Sequence, residues 1–249
     1  MRSRMAIFLI GMAILLSFPQ GSGAHWVPAG NPGGGRITSF AVKGSNLFVS
    51  TDLGVYLSPD NGATWTAVNS GLPGKNGDPG QAFVGCLAVS EANLVAGTPD
   101  GIFISANNGK NWTATSSAEH MHTAYCFAAS GTNIFGGAWC GVLLSTNNGK
   151  TWTFMDTDIP LGPYLTVASK EDYVRSLAVS GENFVAGTGY EKFVFVSRWN
   201  GKSWETVSSD SPENLDVDCV VLNGKYFFAG TSRGVFLSKN KGKSWIERN

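Results

Sequence analysis

The side chains able to do chemistry are few and spread along the chain. Arg36, Arg175 and Arg233 supply guanidinium forks, whose planar geometry matches a carboxylate. Asp52, Asp100, Asp172, Asp216 and Asp218 supply carboxylates, and two of these held about 5–10 Å apart would be the minimum for glycoside hydrolysis. His120-Met-His122, with Cys140, offers nitrogen and sulfur to a soft metal ion. A bare His-x-His without a spaced partner reads more simply as a solvated loop, so neither metal nor cofactor is expected. Trp139 offers an aromatic face that would stack on a sugar ring or a partner side chain, or else cover apolar surface between structural units.

What could position these residues is an internal repeat. Five segments align in register: Ser58-Pro-Asp-Asn-Gly-Ala-Thr-Trp65, Ser105-Ala-Asn-Asn-Gly-Lys-Asn-Trp112, Ser145-Thr-Asn-Asn-Gly-Lys-Thr-Trp152, Ser197-Arg-Trp-Asn-Gly-Lys-Ser-Trp204 and Ser238-Lys-Asn-Lys-Gly-Lys-Ser-Trp245. Their tryptophans are 47, 40, 52 and 41 residues apart, and His25-Trp26 is a partial copy 39 residues before Trp65. A period of about 40–50 residues is the mark of propeller blades or a solenoid. Upstream of each box lie three short apolar runs, such as Cys86-Leu-Ala-Val, Leu94-Val-Ala-Gly and Ile102-Phe-Ile-Ser in the second copy. With the strand opened by the Trp, each copy supplies four short strands joined by tight turns, which make one antiparallel blade.

The boxes resemble the Asp-box (BNR) repeat, Ser-x-Asp-x-Gly-x-Thr-Trp, over essentially the whole chain after residue 24. Proteins carrying it include sialidases, xyloglucanases, sortilin-type receptors and the photosystem II assembly factor. The resemblance implies an all-β single β-propeller of about five four-stranded antiparallel blades with the boxes as hairpins between third and fourth strands. It implies little about chemistry, because that architecture serves many functions. Gly35-Arg36-Ile37-Thr38 weakly echoes the Arg-Ile-Pro motif of sialidases without its Pro, and no Tyr/Glu nucleophile pair is evident.

The box residues themselves read as structural. Asn-Gly pairs supply the positive φ of a tight hairpin, and a side-chain oxygen at the third position accepts from turn amides. Asp60 is an acid, whereas Asn107, Asn147 and Asn240 are amides and Trp199 breaks the pattern. A turn acceptor tolerates that exchange; a catalytic carboxylate would not. The structural set is therefore Asp60, Gly62, Trp65, Asn107, Gly109, Trp112, Asn147, Gly149, Trp152, Gly201, Trp204, Asn240, Gly242 and Trp245.

Blade topology puts the boxes at one end and the 2–3 turns and blade-to-blade links at the other. Both long spacings arise in links, at 71–83 and 157–173, and insertions confined to one face mark a binding face. There the sequence varies between copies: Thr38, Gly85, Tyr125, Arg175 and Asp218 share one position just before the first strand. The expected binding residues are Trp139, Tyr190, Arg233, Tyr125, Arg175, Asp218, Asp52 and Asp100, with no catalytic residue among them.

The ends and the bulk complete the expectation. Residues 1–24 combine Arg2 and Arg4, thirteen uncharged residues from Ala6 to Phe18, and small residues Ser22 and Ala24, the pattern of a cleaved signal peptide. The propeller then occupies 25–249, with blades at about 31–71, 83–116, 123–157, 173–209 and 217–249 and an extra outer strand at 25–30. Basic and acidic residues balance at 18 each, which excludes a typical nucleic-acid binder. A closed ring is favoured, with an open ring whose edges pair between chains as the alternative. Cys86, Cys126 and Cys219 occupy a strand position and read as small buried residues, while a Cys126–Cys140 disulfide stays open. The expected function is an exported, extracellular or periplasmic, non-catalytic binding or scaffold module for a protein or glycan, without nucleic acid, cofactor or membrane span. The alternative is a glycoside hydrolase of sialidase-like or xyloglucanase-like type.

Overall fold

The structure is a computed structural model that describes residues 30–248 except 34, 75–80, 116–122, 139–140, 156–172, 182, 189–193, 200–203 and 208–215, with only the backbone of 194–199 and 204–207. The signal peptide at 1–24, most of the outer strand at 25–30, Trp139, Cys140, Tyr190, Gly201, His120 and His122 lie outside the described residues.

Twenty strands and no helix make up the described chain. They form five four-stranded sheets, each antiparallel and each in simple sequence order. The first contains β1 (Ile37–Lys43), β2 (Asn46–Thr51), β3 (Gly54–Ser58) and β4 (Thr66–Ala67). The second contains β5 (Cys86–Val89), β6 (Leu94–Thr98), β7 (Gly101–Ser105) and β8 (Thr113–Ala114). The third contains β9 (Cys126–Ser130), β10 (Asn133–Ala138), β11 (Gly141–Ser145) and β12 (Thr153–Met155). The fourth is β13 (Val174–Ser180), β14 (Asn183–Thr188), β15 (Val194–Trp199) and β16 (Trp204–Val207). The fifth is β17 (Val217–Asn223), β18 (Tyr226–Thr231), β19 (Gly234–Ser238) and β20 (Ile246–Arg248). The fold is an all-β propeller of four-stranded blades.

Each strand alternates its side chains between two faces, and both faces are apolar. In the first sheet Ala41 and Phe48 point one way, and Phe40 and Val49, paired opposite each other, point the other. Ala41, Phe48 and Val55 pack against Leu87, Leu94, Ala96 and Phe103 of the second sheet. Similar clusters join the second sheet to the third, the third to the fourth and the fourth to the fifth. Among the described residues no cluster joins the fifth sheet to the first. Of the expected outer strand only Gly30 is described, and its N–H donates to Gly62 O at 2.9 Å.

One position stitches every sheet to the next. Ser39 Oγ accepts from Leu87 N at 3.3 Å, and Ser176 Oγ from Val220 N at 3.0 Å. Cys86 Sγ donates to Ala124 O at 3.2 Å and Cys126 Sγ to Val174 O at 3.3 Å. Burial raises both of these free thiols, Cys126 to about 12 and Cys86 well above the ordinary range.

Candidate functional site

The two ends of the blades are built differently. At the box end a hydroxyl closes each described hairpin. Ser58 Oγ donates to Asp60 Oδ1 at 2.8 Å and accepts from Gly62 N at 2.7 Å. Ser105, Ser145 and Ser238 make the same two bonds to Asn107 and Gly109, Asn147 and Gly149, and Asn240 and Gly242. The third-position oxygen accepts from the amide four residues after its own: Thr64, Asn111, Thr151 or Ser244. Asn61, Asn108, Asn148 and Lys241 all carry φ near +60°. Trp112 and Trp152 are buried, with Nε1 donating to Val68 O at 2.8 Å and to Gly149 O at 3.1 Å. Asp60 is the one carboxylate among these box residues, and the hydroxyl and amide of Thr64, helped by Ser58, hold it down at about 2.

At the opposite end the variable position before the first strand sits on a backbone irregularity. Pairing slips by one residue between Ile37 and Ser39, Val174 and Ser176, and Val217 and Cys219. The slips leave Thr38, Arg175 and Asp218 as bulged residues, a device that re-aims a side chain without disturbing the rest of the sheet. In the second and third sheets the same position stays paired, with Gly85 N and Tyr125 N donating to Gly97 O and Gly137 O.

Three of these five positions are brought into one string across the third, fourth and fifth sheets. The Tyr125 and Tyr173 rings lie 4.5 Å apart at 37°. The Arg175 guanidinium sits 5.3 Å from the Tyr173 ring centre, within cation–π range. Arg175 Nη1 then reaches Asp218 Oδ1 at 3.4 Å, with the two side chains 26% and 37% exposed. Tyr125 is 40% exposed, so one end of the string faces solvent. Arg175 Nε is buried and has no hydrogen-bond acceptor among the described residues. The string therefore combines an accessible aromatic face, a half-buried cation with a donor to spare, and an anion beside it.

The other candidates stay apart from it. Thr38 Oγ1 is engaged by Ser50 Oγ at 2.8 Å and by Val84 O, so it serves the scaffold. Asp52 accepts from Arg36 N at 2.8 Å. Asp100 N and Arg233 N each donate to the threonine that closes their turn, Thr98 and Thr231. Arg233 also pairs with Glu247 at 3.5 Å across exposed surface. Arg175 and Arg233 thus take separate carboxylates, and no described contact gathers Arg36, Arg175 and Arg233 into a clamp. Among the described residues no group of three His, Cys, Asp or Glu could hold a metal ion. Tyr173 is the member that sequence reasoning missed. Its signal was available: it stands two residues before Arg175, and in an extended chain such residues share a face.

Neither a protein-family model nor a curated protein matches the sequence. Solved structures share the fold. The extracellular domain of BT4673 from B. thetaiotaomicron is similar over 85% of this chain and 27% of its own, at 14% identity and a TM-score of 0.62. YCF48 bound to D1 peptide is similar over 86% of this chain and 66% of its own, at 14% identity and TM-score 0.60. U3-55K is similar over 85% and 63%, at 16% identity and TM-score 0.61. The chain therefore spans about a quarter of the first of these and just under two thirds of the others.

Proposed function

We propose that this protein is an exported, non-catalytic Asp-box propeller that binds a protein or glycan partner on the end opposite its boxes. The observation that carries the reading is the Tyr125–Tyr173–Arg175–Asp218 string. An exposed ring backed by a second ring suits stacking on a flat partner group. A guanidinium with an unused buried Nε suits a carboxylate or carbonyl acceptor, which a peptide or an acidic sugar would supply. Trp139 and Tyr190, which the repeat register assigns to the same end, would extend the surface. The basic and apolar pattern of residues 1–24 supports export. That a propeller with the same fold has been captured with a peptide, YCF48 with D1 peptide, makes a peptide probe a sensible companion to a glycan one.

The glycosidase alternative asks for two carboxylates working on one bond. Asp52 and Asp218 instead answer to a backbone amide and an arginine respectively. The deciding experiment screens the protein against glycan and peptide arrays and follows retained material by mass spectrometry for cleavage. Retention without cleavage, weakened about tenfold or more by Tyr125→Ala and by Arg175→Ala, is the expected result. Cleavage of a glycan that Asp218→Asn abolishes would replace the binding module with an enzyme.

A further inference from the structure

The end sheets carry faces that, everywhere else in the molecule, are buried against a neighbour. On the first sheet the row Phe40, Val49, Tyr56, Ala67 points away from the second sheet. Val49 is fully buried within the row, but Phe40 at its inner end is 46% exposed, whereas its counterparts Leu87, Leu177 and Val220 are 5–8% exposed between sheets and Phe127 is half-buried. On the fifth sheet the rows Val221, Phe228, Leu237, Ile246 and Cys219, Gly230, Val235, Arg248 point away from the fourth. Val235 is 45% exposed, and its counterparts Val55, Ile102 and Val142 are 0–3% exposed. At Ile246 the fifth copy departs from the repeat: the same position is Thr66, Thr113 and Thr153 in the first three copies. An isoleucine 49% exposed where the first three copies carry an exposed threonine adds apolar surface to the outgoing face of the fifth sheet.

These two faces are complementary by construction. The four internal interfaces each join the outgoing face of one sheet to the incoming face of the next. The fifth sheet presents an outgoing face and the first an incoming one. Cys219 completes the pattern. It occupies the position where Ser39, Cys86, Cys126 and Ser176 each hydrogen-bond to the following sheet, and no such bond is made by Cys219 among the described residues.

We infer that two copies of this chain dock head to tail, the outgoing face of the fifth sheet of one copy on the incoming face of the first sheet of the other. The interface continues the packing already repeated four times within the chain, with Phe40 of the second copy set against Val235 and Phe228. The thiol of Cys219 then meets the carbonyl of Ile37 of the second copy, because Ile37 stands to Ser39 as Ala124 to Cys126 and Val174 to Ser176. Such a contact is heterologous, and whether it closes on itself decides between a ring of copies and a filament.

The test is sedimentation velocity of the whole protein with two single-face variants, Phe40→Lys and the pair Val235→Lys/Ile246→Lys. The wild type is expected to self-associate, and each variant alone to be monomeric, with affinity weakened at least about tenfold. An equimolar mixture of the two variants is expected to form a one-to-one pair, because each still owns the face the other lacks. That recovery also establishes that both variants are folded. Maleimide labelling read peptide by peptide is expected to reach Cys219 in the monomeric variants and to be blocked there in the wild-type assembly. Ile246→Thr, the residue of the first three copies, gives a gentler variant should the lysines prevent folding, and is expected to weaken association in the same direction. A wild type that stays monomeric overturns the inference, whether Cys219 is labelled or is protected by another part of its own chain. Self-association retained in either single-face variant overturns the head-to-tail arrangement.

Discussion

The two ends of the blades obey different rules of substitution. At the box end one hydrogen-bond pattern recurs in four copies, and the residue at its centre is restricted to Asp60, Asn107, Asn147 and Asn240. Each presents a side-chain oxygen at the same reach, which is all the turn requires. At the opposite end one position holds Thr38, Gly85, Tyr125, Arg175 and Asp218, five residues with nothing in common. There the backbone itself makes the geometry, by a slip in pairing or a main-chain hydrogen bond, so only Thr38, whose hydroxyl bonds Ser50 and Val84, has its side chain drawn into the scaffold. The first end is specified by chemistry the fold needs. The second leaves room for chemistry that a partner needs.

That contrast is broken most forcefully by mutations that confuse the two ends. Trp152→Ala removes a side chain 3% exposed between the second and third sheets, together with its bond to Gly149 O. Loss of about 3–5 kcal/mol in stability is expected from urea unfolding, while the fraction that remains folded keeps its partner affinity. A folded Trp152→Ala protein that no longer binds would show the box end to be part of the site. Arg175→Ala should do the reverse. Its ion pair is 3.4 Å long and partly in water, so stability should change by no more than about 1 kcal/mol. Partner retention should fall at least about tenfold, since the mutation removes both the cation on Tyr173 and the donor at Nε. Unfolding in place of lost binding would return Arg175 to the scaffold.

How far the sequence spoke follows from the same contrast. Box spacing and apolar alternation are local and repeated, so the five sheets, their strand order and the propeller fold were legible before any coordinates. The position that varies before the first strand was legible too, because a repeat in register makes a difference stand out. Two things were not. Tyr173 was read only as the end of a link, because its partner Tyr125 belongs to another sheet and lies 48 residues earlier. The angle between sheets is set by how Phe103, Ile134 or Phe184 fill the space between them, and no pattern of types encodes it.

The smallest effect concerns the one box that kept its acid. The Thr64 hydroxyl and amide and the Ser58 hydroxyl all favour the ionised form of Asp60, which lowers its pKa from 3.8 to about 2. A carboxylate held down in the folded state contributes stability that is complete above its unfolded pKa. That contribution fades as pH falls from 3.8 through about 2, below which both states are protonated. Asp60→Asn should remove this slope without opening the turn. The amide oxygen still accepts from the Thr64 amide, as Asn147 Oδ1 does from Thr151, and the amide nitrogen then donates to the Thr64 hydroxyl, as Asn147 Nδ2 does to Thr151 Oγ1 at 2.8 Å. Thermal unfolding of the two proteins from about pH 5 to about pH 2 should therefore show the wild-type Tm falling slightly further than that of Asp60→Asn. Parallel curves would mean that the carboxylate gains nothing from its three donors, and that the acid of the first box is as interchangeable in its charge as in its shape.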